Sequence, residues 1–566
     1  MRGRGQGNWC RPLSLSRFRE DRIAMTNEER KFERRTLLAG AAGAGGVALA
    51  GAALPGTALA HGSGASGALV APVTPADPQY PDLVMGLNNR WTATPNSVYV
   101  VDSPNQVAPI VRRAVRRGTK LTVRGGGHGF EDFVYNSEVE TIIDMTNMNR
   151  IYYDARMKAV AVEAGAILLD VYEKLYQTWG VTLPGGVCYS VGMGGHVAGG
   201  GWGWLVRRNG LIVDHLYAVE VVTVNAAGRV NTIIATREKR DPHRHLWWAH
   251  TGGGGGNFGV VTRYFFRSPG AHGRSPAQLL PKPPSKVLSS FALWSWSTMT
   301  EADYIRLLQN YASWHVANIS PDSPTREVTS LIQSFHRSNG EIHMYAFVDS
   351  AVPNAQQMLD SYLAHLQNGV TPAVFASQST MPWLQFCKLT GTTNTLNNDP
   401  TLRGEYKSAF MKDTFTTAQA SAIYRAMTRS DINNPNLNIV ISPYGGRTAA
   451  VPDAATAIPH REAAYKLLWQ AQWANPADDA ANIAWARETY RDTFADTGGV
   501  PVPNDQTDGC YVNYPDADLS DPAWNGSAFA WYDLYYKENY RRLQAVKKAY
   551  DPRNFFNHRQ SVELPS

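Results

Sequence analysis

Pro184-Gly185-Gly186-Val187-Cys188-Tyr189-Ser190-Val191-Gly192-Met193-Gly194-Gly195-His196, continued by Gly199-Gly200-Gly201-Trp202-Gly203, sets one cysteine among bare backbone. An earlier segment, Val123-Arg124-Gly125-Gly126-Gly127-His128-Gly129, does the same for one histidine. Glycine lets a backbone come close to a large planar ligand. Imidazole and thiolate are also the side chains able to bond stably to an electrophilic ring, so a flavin fixed at two points uses every feature of both segments. Structural loops are the plainer alternative, since glycine runs usually mark turns and a lone cysteine usually fills a core. A dinucleotide fingerprint fails, because the third glycine of G-x-G-x-x-G falls on Phe130. Zinc accepts mixed His and Cys ligands, but His128, Cys188 and His196 lack any short paired spacing.

Three further segments follow in order: a glycine run from Gly252 leading to Asn257-Phe258-Gly259-Val260-Val261-Thr262, then Tyr511-Val512-Asn513-Tyr514-Pro515-Asp516-Ala517-Asp518-Leu519, then Asp551-Pro552-Arg553-Asn554-Phe555-Phe556 with Gln560-Ser561. Together the five segments resemble the berberine bridge enzyme-like family, within the vanillyl-alcohol oxidase/p-cresol methylhydroxylase (PCMH) flavoproteins, from about Pro81 to the C-terminus. The resemblance implies FAD joined through an 8α-histidyl bond at His128 and a 6-S-cysteinyl bond at Cys188, with no metal. By the same resemblance, cofactor contacts fall on Arg124, Gly125, Gly126, Gly127, Gly129, Val191, Gly192, Gly194, Gly195, His196, Gly199, Gly201, Gly259, Val260, Tyr511 and Asn513. His196 is expected as a hydrogen-bonding member of the second loop, and Tyr514 as the catalytic base. One departure stands out. Several relatives carry a tyrosine or glutamate just before Pro443-Tyr444-Gly445-Gly446, where this chain has Ser442. A serine hydroxyl is too weak an acid to serve unaided, so Tyr514 is expected to act alone, or with Tyr444 or a histidine.

The family implies an α+β fold: a PCMH-type FAD-binding domain plus a substrate domain of antiparallel sheet backed by helices. Pro81 to Pro269 alternates helical and β-rich stretches and reads as the FAD domain. Its predicted helices include Ala108–Arg117 and Leu168–Trp179, and its predicted strands Thr141–Asp144 and Tyr217–Val224. A Pro/Gly/Ser linker spans Gly270–Pro284, and the substrate domain is expected over 286–510. There Trp294 and Trp296 would point to one face of a strand. Residues 511–566 return to the FAD domain, with one helix predicted over Trp531–Tyr550 and ended by Asp551-Pro552. Residues 1–60 read as a leader: Arg34-Arg35 precedes an Ala/Gly/Leu-rich run ending Ala58-Leu59-Ala60, which suits a twin-arginine signal cleaved after Ala60 and a secreted product. No membrane span is expected after its removal. Residues before Met25 look like spurious upstream translation.

The formal charge of +6 resides mostly in that leader, where ten Lys/Arg face five Asp/Glu, so the remainder is nearly neutral and offers no footprint for nucleic acid. In an oxidising exterior Cys387 and Cys510 could pair. By the family's behaviour, two-point attachment implies a high flavin potential, and it permits a site open to bulky molecules. The chain therefore reads as an oxidase taking a hydride from a carbon that bears a hydroxyl, amine or hemiacetal, with dioxygen as acceptor and hydrogen peroxide as product. With 16 Trp and 26 Tyr it has aromatic surface for a glycosylated or polycyclic small molecule. Oxidation of an oligosaccharide at its reducing end, and sequestration of a toxic metabolite without turnover, stand as alternatives. Oligomeric state is not legible.

Overall fold

A computed structural model describes residues 70–393 and 396–566. The leader, its paired arginines and Cys10 lie outside the described residues. Among the described residues no helix is long and apolar enough to cross a membrane.

Three sheets organise the chain. The first is parallel, with β1 (Ser97–Val100), β2 (Leu121–Arg124) and β3 (Thr141–Asp144) in the order β1-β3-β2. The second is antiparallel and contains β4 (Ile151–Asp154), β5 (Ala159–Glu163), β6 (Leu216–Val224), β7 (Val230–Thr236) and β8 (Val260–Phe266), in the order β4-β5-β8-β6-β7. The third, also antiparallel, has seven strands: β9 (Lys286–Ser295), β10 (Thr329–Phe335), β11 (Glu341–Asp349), β12 (Phe375–Pro382), β13 (Arg403–Met411), β14 (Asn438–Pro443) and β15 (Tyr465–Trp473). Their order is β12-β9-β11-β10-β14-β15-β13.

Local sequence explains the elements that carry the loops. Helix α1 (Pro104–Arg117) opens on a proline, where a missing N–H costs nothing, and closes on Gly118 at φ 67°. Helix α2 (Leu168–Trp179) buries Leu168, Val171, Tyr172 and Leu175, one apolar stripe at helical spacing. Both follow the predicted pattern, α2 with the predicted ends.

The large sheet has two unlike faces. Helices α4 (Glu301–Ala317), α5 (Ala355–Leu366), α7 (Thr417–Thr428) and α8 (Asp479–Thr493) pack on one another and back one face. Trp294 is fully buried there, and Trp296, just past the strand end, packs tilted against Tyr304 of α4 at 5.1 Å. The two indoles do share a side, and it is the core side. The opposite face meets the FAD-binding region: Trp204 lies edge-on to Phe347 at 5.8 Å, and α6 (Trp383–Thr392) packs against α2.

Two expectations need correction, and the state of two cysteines, left open by the sequence, is answered. The Gly270–Pro284 stretch is no free tether, because Leu279 is buried, its carbonyl accepts from Ser268 N, and Pro281 O accepts from Thr182 N. The helix predicted over Trp531–Tyr550 is broken into α9 (Trp531–Tyr536) and α10 (Tyr540–Tyr550). Lys537 takes φ 47° between them while its Nζ bonds Asp508 at 2.7 Å, and the Asn539 amide donates to the carbonyls of Asp453 and Thr456. Those tertiary bonds outweigh local helix propensity. Cys387 and Cys510 are both buried free thiols, the latter 3.4 Å from the Tyr490 hydroxyl.

Candidate active site

The two glycine loops meet backbone to backbone. A Cβ on Gly126 would lie 2.3 Å from Gly192 N and 2.7 Å from Ser190 O, and a Cβ on Gly192 would lie 2.2 Å from Gly126 N. No residue larger than glycine fits either position. Where the loops touch, His128 Nε2 shares a 2.8 Å hydrogen bond with Ser190 Oγ, two residues from Cys188. Among the described residues, His128 Nδ1 makes no hydrogen bond. Burial, helped by the Arg124 guanidinium, pushes the imidazole pKa down to about 4, so His128 is neutral and nucleophilic at neutral pH. Burial pushes the Cys188 thiol up to about 11, with Lys466 pulling the other way. Both side chains remain partly open to solvent.

Helix α3 (Met193–Ala198) begins directly after Gly192 and carries the rest of the second loop. Gly194 donates to Ala164 O at 2.9 Å and accepts from the Tyr264 hydroxyl at 2.8 Å, so β5 and β8 anchor the loop. Val191 O accepts from Leu168 N at the start of α2. His196 Nε2 accepts from Gly186 N at 3.1 Å, the structural role expected of it, and burial lowers its pKa to about 4. Gly125 and Gly195 are different. A Cβ on Gly195 would meet nothing within 4 Å, so bare backbone faces open space there, whereas one on Gly125 would sit in ordinary contact with Ala164 O at 3.7 Å. A Cβ on Gly129 would likewise be in ordinary contact, with Glu131 O at 3.8 Å. Arg124 is held by Asp144 at 2.9 Å and Thr146 at 2.7 Å, with its Nε buried and unpaired. Gly259 and Val260 sit at the head of β8, packed on Val221 and Val222 of β6, where they serve the core.

The Tyr511–Tyr514 segment plugs into this junction. Asn513 donates to His196 O at 2.9 Å and to the Tyr511 hydroxyl at 3.0 Å, and its amide occupies the space that a Cβ on Gly199 would need. Trp202 N donates to the Tyr511 hydroxyl at 3.1 Å. Gly201, at φ 69°, lies against Ile212 and His196. Tyr514 packs edge-on to Tyr511 at 5.0 Å and near Phe130, two residues past His128, at 5.7 Å.

The residue that sequence reading missed is Lys466 on β15. It is buried, donates to the Tyr514 hydroxyl at 3.1 Å, and lies over the rings of Trp202 at 4.1 Å and Tyr514 at 4.5 Å. Among the described residues no carboxylate forms an ion pair with it. Burial therefore drives its pKa down to about 7, against a smaller opposing pull from Cys188. The Tyr514 phenol moves the other way, well above its ordinary value, through burial and then the neighbouring Tyr511 and Cys188. Ser442 lies directly across from Lys466 in the β14–β15 register. Tyr444 is fully buried with its hydroxyl unpartnered, edge-on to Phe410 at 5.1 Å.

Comparison with known proteins identifies the family. The FAD binding domain family matches residues 95–233, and the berberine and berberine-like family matches 510–563. Aclacinomycin-N/aclacinomycin-A oxidase of Streptomyces galilaeus is 44% identical over 547 residues, covering 94% of this chain and 99% of the relative. The chain belongs to the berberine bridge enzyme-like family of FAD-linked oxidoreductases. Hexose oxidase of Chondrus crispus, a more distant relative, is 31% identical over 87% of this chain and 94% of its own length. Among solved structures, a glycopeptide hexose oxidase complexed with teicoplanin superposes with a TM-score of 0.83 at 44% identity, covering 88% of this chain and 99% of that one.

The chain is thus an FAD-linked oxidoreductase, and its residues fit that cofactor. The loops present two nucleophiles, a neutral imidazole and a thiol, beside uncovered backbone at Gly195.

Proposed function

We propose that this enzyme is an oxidase that takes a hydride from a carbon bearing a hydroxyl group on a bulky glycosylated or polycyclic natural product. In this reading FAD is bonded to His128 through Nδ1 and to Cys188 through Sγ, dioxygen is the final acceptor, and hydrogen peroxide is released. The leader supports secretion by the twin-arginine route. Two relatives named as hexose oxidases support a sugar carbinol or hemiacetal as the oxidised group.

The observation that carries the reading is the convergence of His128, Cys188, Tyr514 and Lys466 on one junction. FAD supplies the two-electron acceptor. Loss of a hydride from a carbinol leaves a protonated carbonyl unless a base removes the hydroxyl proton. A buried phenolate or a buried ammonium is costly alone, but a proton passed from Tyr514 to Lys466 creates a contact ion pair of no net charge. The ring faces of Trp202 and Tyr514 favour the ammonium further. Tyr514 then takes the substrate proton while neutral Lys466 takes that of Tyr514. Ser442 has no acid–base part, and Tyr444 is a packing residue.

Acid-precipitated protein tests the attachment. A yellow pellet with one FAD of added mass, kept in Cys188→Ala and in His128→Ala and lost in the double variant, is expected. A colourless wild-type pellet would end the two-point reading. Tyr514→Phe should abolish substrate-dependent flavin reduction and leave the bound FAD intact. Unchanged turnover in that variant would favour another base.

A further inference from the structure

Three side chains and one carbonyl form a directed chain of hydrogen bonds that ends on His128. The Asn398 amide nitrogen donates to Gly391 O at 2.9 Å, Ser190 Oγ lies 3.0 Å from Asn398 Oδ1, and His128 Nε2 lies 2.8 Å from Ser190 Oγ. A peptide carbonyl only accepts, which fixes the end of the Asn398 amide that faces Gly391. The amide oxygen therefore faces Ser190 and takes its single hydroxyl proton. Ser190 is left with lone pairs toward the imidazole, so His128 carries its proton on Nε2. Burial holds the imidazole neutral, its pKa pushed down to about 4, so the ring has one proton and Nδ1 keeps its lone pair.

The chain starts in the other half of the protein. Asn398 belongs to the connection between α6 and β13, and Gly391 to the last turn of α6, whereas His128 and Ser190 come from the two glycine loops. Gly391 is itself a close approach. A Cβ there would lie 3.0 Å from Val187 O and 3.4 Å from Tyr189 Cβ, on the residues that flank Cys188. Next to these two residues, Trp204 Nε1 donates to Thr390 Oγ1 at 3.2 Å, and the Gln470 amide on β15 donates to Asn397 Oδ1 at 2.9 Å. The end of α6 and the residues after it are thus seated on the second loop, and the Asn398 amide is held at both ends.

Resting on the two-point attachment proposed above, we propose that Ser190 and Asn398 are positioning residues for the attachment of FAD. They fix the His128 tautomer and ring plane so that Nδ1 is the nitrogen that attacks the flavin ring methyl. Bonding there replaces one methyl hydrogen with Nδ1. The displaced proton, the imidazole proton and two electrons pass into the isoalloxazine and leave it on dioxygen as hydrogen peroxide. A hydrogen bond at one ring nitrogen sets which nitrogen of a histidine reacts, and its supporting residues set the ring orientation. Without Ser190 and Asn398 the imidazole exchanges tautomers and turns about its side-chain bonds, so the reactive form is one among several. Because the relay begins at α6, the histidyl bond is withheld until α6 and residues 396–402 have packed on the second loop.

The test uses the full chain in a Cys188→Ala background, where only the His128 bond can carry FAD through acid precipitation. Intact mass gives the bonded fraction during incubation with added FAD, and visible absorbance before precipitation gives the total FAD bound. Cys188→Ala alone should become fully bonded. Adding Ser190→Ala or Asn398→Leu should slow bonding by about tenfold, the effect of losing one good hydrogen bond, and leave a yellow native protein that bleaches in acid. Ser190→Thr keeps the hydroxyl and Asn398→Asp keeps the acceptor, so both should restore the rate, a pattern that loss of packing would not produce. Bonding rates unchanged in Ser190→Ala and Asn398→Leu would overturn the relay. So would rates lowered as much in Ser190→Thr and Asn398→Asp as in the disabling variants. Absence of acid-stable FAD in Cys188→Ala itself is a separate result: it would end the two-point reading, and the relay with it.

Discussion

Replacing Gly126 with alanine should cost at least one of the two proposed flavin bonds without touching His128 or Cys188. The added methyl would sit 2.3 Å from Gly192 N, 2.7 Å from Ser190 O and 2.9 Å from Gly192 Cα. Ordinary heavy-atom contact lies near 3.5–4.0 Å, so the two loops must part by on the order of 1 Å. The obstacles are backbone atoms, which cannot rotate away as a side chain can. The 2.8 Å bond between His128 and Ser190 would open with them. Overpacking costs about 1–3 kcal/mol, and the lost hydrogen bond costs about 1 kcal/mol more. That is tolerable for a fold of this size but severe for bond formation, where a misplacement of about 1 Å reduces rate by roughly a hundredfold. The expected product is a folded, slightly less stable protein whose FAD is held by one bond at most, read by intact mass and by the colour of the acid pellet. Gly125→Ala is the control for the apoprotein fold, since its methyl would meet only Ala164 O at 3.7 Å and Gly195 N at 4.0 Å. Full double attachment and an unchanged melting temperature in Gly126→Ala would refute the claim that contact between the loops sets the attachment geometry.

Lys466→Met should lower the rate of flavin reduction and remove its pH dependence near neutrality. With the lysine pKa at about 7, the neutral amine forms as pH rises through that value, so kcat/KM of the native enzyme should rise across the same range and flatten in the variant. Lys407→Met should destabilise the protein by about 3–5 kcal/mol, measured by denaturant unfolding, because it strands buried carboxylates. Lys407 Nζ holds Asp516 at 2.9 Å and Asp518 at 2.7 Å, just beyond Tyr514, so the same variant should also slow flavin reduction with little change in KM. Asn513→Ala removes the bonds to His196 O and the Tyr511 hydroxyl, and should loosen Tyr514 enough to lower kcat while leaving FAD attached.

Much of the site was legible because its residues are clustered in sequence and bound by backbone geometry. Close approach of Gly126 to Gly192 permits only glycine, and such a constraint shows in a bare sequence. The same holds for α2, whose stripe of Leu168, Val171, Tyr172 and Leu175 is local. Lys466 was not legible. It stands in the apolar run Tyr465-Lys466-Leu467-Leu468-Trp469, where a single lysine reads as the solvent side of a strand. Only the pairing of β15 with β13 and β14, and the arrival of Trp202 and Tyr514 from elsewhere, bury it. A lysine inside the apolar strand Tyr465–Trp473, with no acidic residue in that strand, was the available signal. The ion cluster of Arg90, Glu131, Glu405, Lys407, Arg487, Asp516 and Asp518 was hidden for the same reason, being drawn from five separate stretches of chain. It explains why two aspartates follow Tyr514: they tie that loop to β13 and α8. The break at Lys537 was invisible because the groups that enforce it, Asp508, Asp453 and Thr456, lie on other segments.

Ser442 now reads differently from the way the sequence alone presented it. A serine where the family resemblance led us to expect a tyrosine or glutamate looks like a missing base, yet its cross-strand partner is Lys466. Two side chains directly opposed on one sheet face lie close enough to interact. A carboxylate at 442 would pair with the ammonium form and raise the lysine pKa, whereas a small neutral hydroxyl leaves burial in control and the amine free near pH 7. Serine is therefore the residue that allows Lys466 to accept a proton. Ser442→Glu should accordingly slow flavin reduction at neutral pH and move the rise in kcat/KM to higher pH, because the amine deprotonates later. If the variant instead kept its rate and gained activity toward lower pH, the glutamate would be acting as the base and Lys466 would be only a positive charge beside Tyr514.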